Sequence, residues 1–122
     1  MAKAAIDQFS SRDHSILSSD GESQLFVRQY GSEKPKIHFL LVHGALEYSG
    51  RHTDLILYVL RNFGQDVALT TWDHTGHGRS GGARVFVPSF KVYVEDMNLV
   101  VKMVQKINTP KTKNIILAHS MG

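Results

Sequence analysis

The residues that most constrain the fold of this chain are the last nine, which run from Asn114 to Gly122 and read NIILAHSMG. They begin with an apolar, largely β-branched run at 115–117, which predicts a strand that is buried on both faces. Small residues then alternate with others around a single serine, Ser120. Small neighbours two positions to either side of a serine allow the sharp strand-to-helix turn on which a nucleophile can be exposed. Ser120 is therefore the candidate nucleophile.

Strand-like and helical patterns alternate along the rest of the chain. Two strand-like arms, 11–17 and 24–30, flank the tight-turn pair Asp20-Gly21 and predict an opening β-hairpin, with the second arm as an edge strand. The elements predicted after the hairpin are strands at 37–42 and 66–72 and helices at 52–63 and 89–108. This alternation predicts an α/β fold with parallel strands. No repeat or linker divides the chain.

The composition excludes several kinds of function. The 122 residues contain no cysteine, so thiolate catalysis and zinc sites with cysteine ligands are excluded. The net charge of +3 is scattered along the chain without a nucleic-acid-binding motif, so we expect no nucleic-acid partner. The N-terminus lacks the apolar core of a signal peptide. We therefore predict a cytoplasmic protein whose contact with membranes, if any, is peripheral.

The candidate site lies where the predicted parallel strands end. Sites of open α/β sheets gather at the carboxyl edge, where this chain places the loops 43–51, 73–82 and 119–122. Acyl transfer by a serine needs two N–H donors for the developing oxyanion. In a strand-to-helix serine turn these are the amide after the serine, here Met121, and an amide of the earlier strand–helix loop, here Ala45. Neither donor depends on the identity of its side chain.

Three segments resemble motifs of monoacylglycerol lipases and bacterial lysophospholipases, which belong to the α/β-hydrolase superfamily. HGALEYSGRH at 43–52 is similar to their HGxxEHSGRY loop, DHTGHGRSGG at 73–82 to their DxxGHGxSxG turn, and AHSMG at 118–122 to their GHSMG elbow. The motifs come in the family's order and at similar spacings. The chain differs at Ala118, where the family has glycine, and at Leu46, where the lipases often have glycine.

The resemblance implies a fold, an activity and two further site residues. The fold is the N-terminal half of an α/β hydrolase, and the activity is that of a serine hydrolase of carboxylic esters, with monoacylglycerol or lysophospholipid as substrate. Glu47 and Arg51 correspond to residues that line the polar end of the lipase pocket, near the glycerol headgroup; a surface ion pair explains them equally well. No cofactor and no metal are expected.

The remaining polar residues of these loops are expected to have structural roles. His119 adjoins Ser120, so on an extended backbone its side chain points to the opposite side. His43 is expected to brace its loop by hydrogen bonds, and His74 and His77 to stabilise the glycine-rich turn, because no carboxylate or third histidine supports them at metal-ligand spacing. Asp73 and Asp96 are likewise predicted to be structural.

The general base and its acidic partner are expected after the elbow. In this fold the triad follows the order serine, acid, histidine along the chain, and the sequence ends at Gly122. Residues 1–122 are therefore expected to form part of one domain that is truncated after the nucleophile elbow, with the C-terminal half of the same hydrolase as partner and a lipid or small ester as substrate. Three alternatives remain: another acyl substrate, such as a small ester, thioester or peptide; a binding protein without activity; and a haloperoxidase-like activity.

Overall fold

The computed structural model describes residues 6, 8–44, 48–84, 87 and 89–120. These residues form a five-stranded sheet in the order β1-β2-β4-β3-β5. The strands are β1 Ser11–Leu17, β2 Gln24–Gly31, β3 Ile37–Val42, β4 Val67–Trp72 and β5 Lys113–Ala118. The helices are α1 Thr53–Asn62, which follows a 3₁₀ turn at Ser49–His52, and α2 Lys91–Gln105. In the described part of the chain, neither helix is long and apolar enough to cross a membrane.

The predicted hairpin is confirmed, but the predicted position of its second arm is wrong. β1 and β2 pair antiparallel, with Ile16 opposite Leu25. β2 also pairs antiparallel with β4, so the strand at the edge of the sheet is β1. The alternation of side chains along β2 shows only that its two faces differ in burial. It carries no information on whether both backbone edges of the strand are paired, and for this reason it could not identify an edge strand.

The parallel strands form the middle of an α/β/α sandwich. β3 lies between β4 and β5 and pairs parallel with both, so that Leu40 has Thr70 on one side and Ile116 on the other. Successive side chains of β3 point to opposite faces of the sheet. Those on one face join a core with α1 that includes Phe39, Leu41, Ile56, Leu60 and Leu69. Those on the other face join a core with α2 that includes Leu40, Val42, Trp72, Val100 and Val104.

The burial predicted for β5 differs from what the structure shows. Ile115 is 39% exposed and Ile116 is 54% exposed, whereas both were expected to be buried. Among the described residues β5 pairs with β3 on one side only. The apolar pattern of β5 is that of a covered central strand, but burial also requires layers on both faces, and the described residues do not provide them.

A buried carboxylate connects α2 to two distant turns. Asp96 is fully buried on α2, and it accepts hydrogen bonds from the Ser18 hydroxyl at 2.8 Å, the Thr75 hydroxyl at 2.8 Å and the Ser19 N–H at 2.7 Å. Ser18 and Ser19 belong to the turn of the hairpin, and Thr75 to the turn after β4. The structural role expected for Asp96 is confirmed.

Replacing Asp96 with alanine is expected to lower the free energy of unfolding by about 3 kcal/mol or more, because each buried donor left without a partner costs about 1–3 kcal/mol. The measurement is the urea unfolding midpoint. Glu95→Ala is the matched control, since Glu95 forms only a partly exposed ion pair with Lys91 on the same helix, and such pairs contribute about 0.5 kcal/mol. Equal losses in the two variants would mean that the Asp96 network does not stabilise the fold.

Candidate active site

Ser120 has the backbone conformation of a residue on a sharp turn. Its φ of 56° is positive, and it is the one residue other than glycine with positive φ in the part of the chain that the structure describes. The residue lies two positions after the end of β5, and its side chain is exposed. Positive φ is unfavourable for residues with a Cβ atom and concentrates at functional turns. The strained turn predicted around Ser120 is therefore present.

The ends of the parallel strands meet beside this turn. The N–H of His119 donates to the Val42 carbonyl at 3.1 Å, so the turn begins next to the last residue of β3. The loop after β3 starts with His43, and the turn after β4 starts with Asp73. β3 lies between β4 and β5, so the loop after β3 is flanked by the other two. The three loops picked out in the sequence thus lie at one edge of the sheet.

His43 and His74 form a reciprocal hydrogen-bonded pair between the ends of β3 and β4. The N–H of His74 donates to Nε2 of His43 at 2.9 Å, and Nε2 of His74 lies 2.9 Å from the carbonyl oxygen of His43. The other ring nitrogen of His43, Nδ1, lies 2.7 Å from the carbonyl oxygen of Gly44. Since carbonyl oxygens only accept, His43 carries its proton on Nδ1 and His74 carries its proton on Nε2. The bracing role expected for His43 is confirmed.

The surroundings of His74 keep its ring neutral. Burial, followed by the neighbouring His43, lowers the pKa of His74 to about 4. Its ring centroid lies 4.2 Å from that of His43 and 5.1 Å from that of Tyr93. His77 belongs to the same cluster, and its Nδ1 lies 3.1 Å from the Thr75 carbonyl oxygen. Among the described residues no group of three ligating side chains could hold a metal ion. The contacts of His74 and His77 with backbone carbonyl oxygens make both histidines parts of the turn.

Acidification is expected to destabilise the fold through His74. The folded pKa, about 4, lies below the ordinary value of 6.5, so between these values the unfolded chain binds a proton that the folded chain does not. The free energy of unfolding is therefore highest above pH 6.5. It decreases by at most about 3 kcal/mol as the pH falls toward 4. Burial also lowers the pKa of His38, which adds a loss of the same sign.

The test measures urea unfolding between pH 7.5 and pH 4.5 in the parent protein and in His74→Gln. Glutamine can donate to the His43 carbonyl as His74 does, but it does not titrate. We expect the variant to lose less stability than the parent over this range. A pH dependence that is identical in the two proteins would show that His74 is not its source.

Asp73 holds two of the loops together. One carboxylate oxygen accepts the N–H of Ser49 at 2.7 Å, and the other accepts the N–H of Arg79 at 2.9 Å. Gly78 passes so close to this carboxylate that a Cβ atom there would collide with it. The side chain of Asp73 is 2% exposed. The structural role predicted for Asp73 is confirmed, and the glycine is required by this close approach.

The structure describes only some of the predicted site residues. Ala45, Glu47 and Met121 lie outside the described residues, so the predicted oxyanion donors and one of the two headgroup residues stay predictions. Arg51 lies in the 3₁₀ turn at Ser49–His52 and is exposed, and its headgroup role also stays a prediction.

An apolar groove that the sequence did not reveal lies beside the turn of Ser120. It is open, has a volume of about 410 Å³, and runs between α1 and β5. Its lining includes Leu41, His52, Leu55, Ile116, Leu117 and His119. Leu55 belongs to the apolar pattern of the predicted helix 52–63, yet 40% of it is exposed. Helical periodicity identifies which side chains share a face, not whether anything covers that face.

Comparisons with known proteins agree with this arrangement. Residues 33–122 match the family model described as "Serine aminopeptidase, S33". A monoglyceride lipase of Rattus norvegicus is 37% identical over 108 residues, which are 88% of this chain and 34% of the lipase. A monoacylglycerol lipase of Mycolicibacterium smegmatis is 37% identical over 111 residues, 90% of this chain and 38% of that lipase.

The fold is shared with solved hydrolase structures. A thermostable carboxyl esterase from Bacillus coagulans superposes with a TM-score of 0.79 at 24% identity, covering 93% of this chain and 37% of the esterase. The chain spans about a third of the length of the curated relatives it matches. The sheet, the loop motifs and the match over residues 33–122 together identify the family to which this chain belongs. This chain has a partial α/β-hydrolase fold and belongs to the serine aminopeptidase S33 family of hydrolases.

Proposed function

We propose that this chain carries the nucleophile of a serine hydrolase that cleaves carboxylic esters, with monoacylglycerol or lysophospholipid as substrate. The observation that carries the proposal is the positive φ of the exposed Ser120, two positions after the end of β5. Catalytic serines of α/β hydrolases occupy such a strained turn. The two lipases that are 37% identical to this chain support the substrate class.

In the proposed reaction Oγ of Ser120 attacks the ester carbonyl carbon while a histidine removes the hydroxyl proton. The N–H groups of Ala45 and Met121 donate to the oxyanion that forms on the carbonyl oxygen. Collapse of this intermediate breaks the ester bond, and the same histidine protonates the departing alcohol. Water then hydrolyses the acyl-serine, which releases the fatty acid and frees Ser120.

The histidine and its acidic partner are proposed to come from sequence that follows the elbow, as the chain order of this fold requires. Two observations support a continuation of the same domain on β5. Ile115 and Ile116 are exposed on a strand that pairs on one side only within the described residues. The curated relatives are also about three times as long as the matched segment. We propose that later elements of the hydrolase pair with β5 and cover its faces.

The polar end of the substrate is proposed to lie near Glu47 and Arg51. Monoacylglycerols and lysophospholipids share one acyl ester and a polar alcohol, so hydrogen-bonding side chains near the leaving group suit both. Arg51 is exposed at the start of the segment that leads into α1. Such substrates reside in membranes and micelles, so the proposal includes a cytoplasmic protein that contacts lipid surfaces peripherally.

The test of this proposal is covalent labelling with a fluorophosphonate of the hydrolase that carries these residues together with the proposed sequence after the elbow, followed by peptide mass spectrometry. We expect the adduct on Ser120, and turnover that is faster on monoacyl esters with long chains than on short-chain p-nitrophenyl esters. A preference for the short esters would indicate a small-ester esterase. Absence of both labelling and turnover would favour a binding protein without activity.

The family description favours one second candidate, the hydrolysis of an N-terminal amino acid from a peptide. The same serine and oxyanion donors can act on an amide carbonyl. Assay of aminoacyl p-nitroanilides beside the ester series separates the two activities. Faster turnover of the anilides would replace the ester hydrolase proposal.

A further inference from the structure

We propose that the cleft between the C-terminal end of α2 and the strands β1 and β2 binds a small aliphatic carboxylate. The cleft is open and has a volume of about 380 Å³, within the range of about 300–1,000 Å³ that is typical of small-molecule sites. Its lining consists of Arg12, His14, Gln29, Glu33, Met103 and Ile107. The hydrolysis proposed for Ser120 uses none of these residues, so this inference does not depend on it.

The cleft lies at the edge of the sheet opposite the turn of Ser120. The start of β1 pairs with the end of β2, where Arg12 is opposite Gln29. The end of β2 in turn pairs with the start of β4, where Gly31 is opposite Ala68. The cleft is therefore at the amino ends of the parallel strands, whereas Ser120 follows their carboxyl ends. It also lies beside β1, the outer strand farthest from β5, so strands added next to β5 are remote from it.

Polar side chains interrupt the apolar face of the hairpin at this cleft. The face that packs against α2 includes Ile16 on β1 and Val27 on β2. Because side chains two positions apart share a face of a strand, the same face continues with His14 and Arg12 on β1 and with Gln29 on β2. Apolar residues at these positions would extend the core. The polar residues instead place hydrogen-bonding groups beneath the end of α2.

Gln29 supplies a donor that the described residues do not satisfy. It is only 2% exposed, and its Oε1 lies 3.0 Å from Nε2 of His14. Since an amide oxygen only accepts, the histidine ring donates this hydrogen bond. Nε2 of Gln29 therefore keeps two protons, and it has no partner in the part of the chain that the structure describes. A buried donor without a partner is unfavourable, and an anionic oxygen in the cleft removes this cost.

Arg12 supplies the positive charge of the cleft. Its Nη1 donates to the Gly31 carbonyl oxygen at 3.4 Å and lies 3.5 Å from Oγ of Ser10. No carboxylate of the described residues forms an ion pair with it, so most of its N–H donors remain available. Arginine presents these donors in a planar fork that matches a carboxylate. Because Arg12 and Gln29 are directly opposite each other on paired strands, their donors can meet at one carboxylate.

The remaining side chains of the lining favour a carboxylate that carries a hydrocarbon chain. Met103 on α2 and Ile107 after it are partly buried apolar residues, which a bare inorganic anion would leave uncovered. Glu33 is the one acidic residue of the lining, and it is exposed on the loop after β2. Solvent screens its repulsion of an anion more than it screens the attraction of the half-buried Arg12.

The test titrates the hydrolase that carries these residues with isocaproate, a carboxylate with a short branched chain, and follows the NMR signals of His14 and Met103. We expect both signals to shift and saturate together. Isocaproamide, which lacks the charge, and inorganic phosphate, which lacks the chain, should bind at least about 10-fold more weakly. Leucine adds an ammonium group to isocaproate and should also bind more weakly, because this group faces Arg12. Tighter binding of leucine, or no saturable shift with isocaproate, would overturn the inference.

Two variants locate the binding groups. Arg12→Gln should lower the affinity for isocaproate by roughly 10-fold or more, because a charge-assisted hydrogen bond is lost. Gln29→Met keeps the length of the side chain but removes the donor, and a loss of similar size is expected. Lys102→Gln is the matched control: it removes one positive charge from an exposed residue of α2 that does not line the cleft, and should change the affinity by no more than about twofold. Thermal unfolding checks that each variant is folded. Equal losses in Arg12→Gln and Lys102→Gln, or full affinity in a folded Gln29→Met, would show that the cleft is not the binding site.

Discussion

Ser120→Ala is expected to lower the kcat of ester hydrolysis on the order of 10⁴-fold or more, the scale of loss when the nucleophile of a serine hydrolase is removed. Alanine has no oxygen to form the acyl intermediate, so fluorophosphonate labelling at this position should disappear as well. Ser10→Ala is the matched control, because Ser10 is an exposed serine that precedes β1. It should keep both turnover and labelling. Labelling that persists in Ser120→Ala would assign the nucleophile to another residue.

The Ser120→Gly variant distinguishes the effect of losing the serine oxygen on activity from any effect of the substitution on folding stability. Glycine adopts positive φ freely, so this substitution relieves the strain at the φ of 56° and should raise the free energy of unfolding by about 1 kcal/mol. Its activity should nevertheless be as low as that of Ser120→Ala. A glycine variant that is less stable than the parent in urea would show that the serine side chain, and not its strained backbone, governs stability at this turn.

Ala45→Pro is expected to lower kcat by roughly 100-fold or more. Proline has no N–H, so the substitution removes the proposed donor of the loop after β3, and the loss of one oxyanion donor has this magnitude. Ala45→Ser keeps the amide and should be much milder. Activity on the ester series and thermal unfolding are measured for both variants.

Equal losses in Ala45→Pro and Ala45→Ser, in variants that still fold, would mean that packing of the loop and not its amide limits turnover.

The sequence by itself determined the strands and helices and the turn that carries the candidate nucleophile. Short-range signals were sufficient for these: the pair Asp20-Gly21 for the hairpin turn, the apolar run before Ala118 for the last strand, and the small residues around Ser120 for its turn. Such signals act over a few residues, where backbone sterics and side-chain periodicity leave few alternatives. The three loop motifs also indicated the family.

Only the tertiary structure decided which strands and side chains meet. β2 proved to be an inner strand because its second edge pairs with β4, about forty residues later in the chain. Asp96 meets Ser18 across 78 positions, and the ring of His43 meets the N–H of His74 across 31. Contacts of this separation depend on the packing of the whole sheet and leave no periodic pattern. The candidate nucleophile and its turn could therefore be predicted from the sequence, whereas the histidine pair that holds the neighbouring loop became visible only in the folded chain.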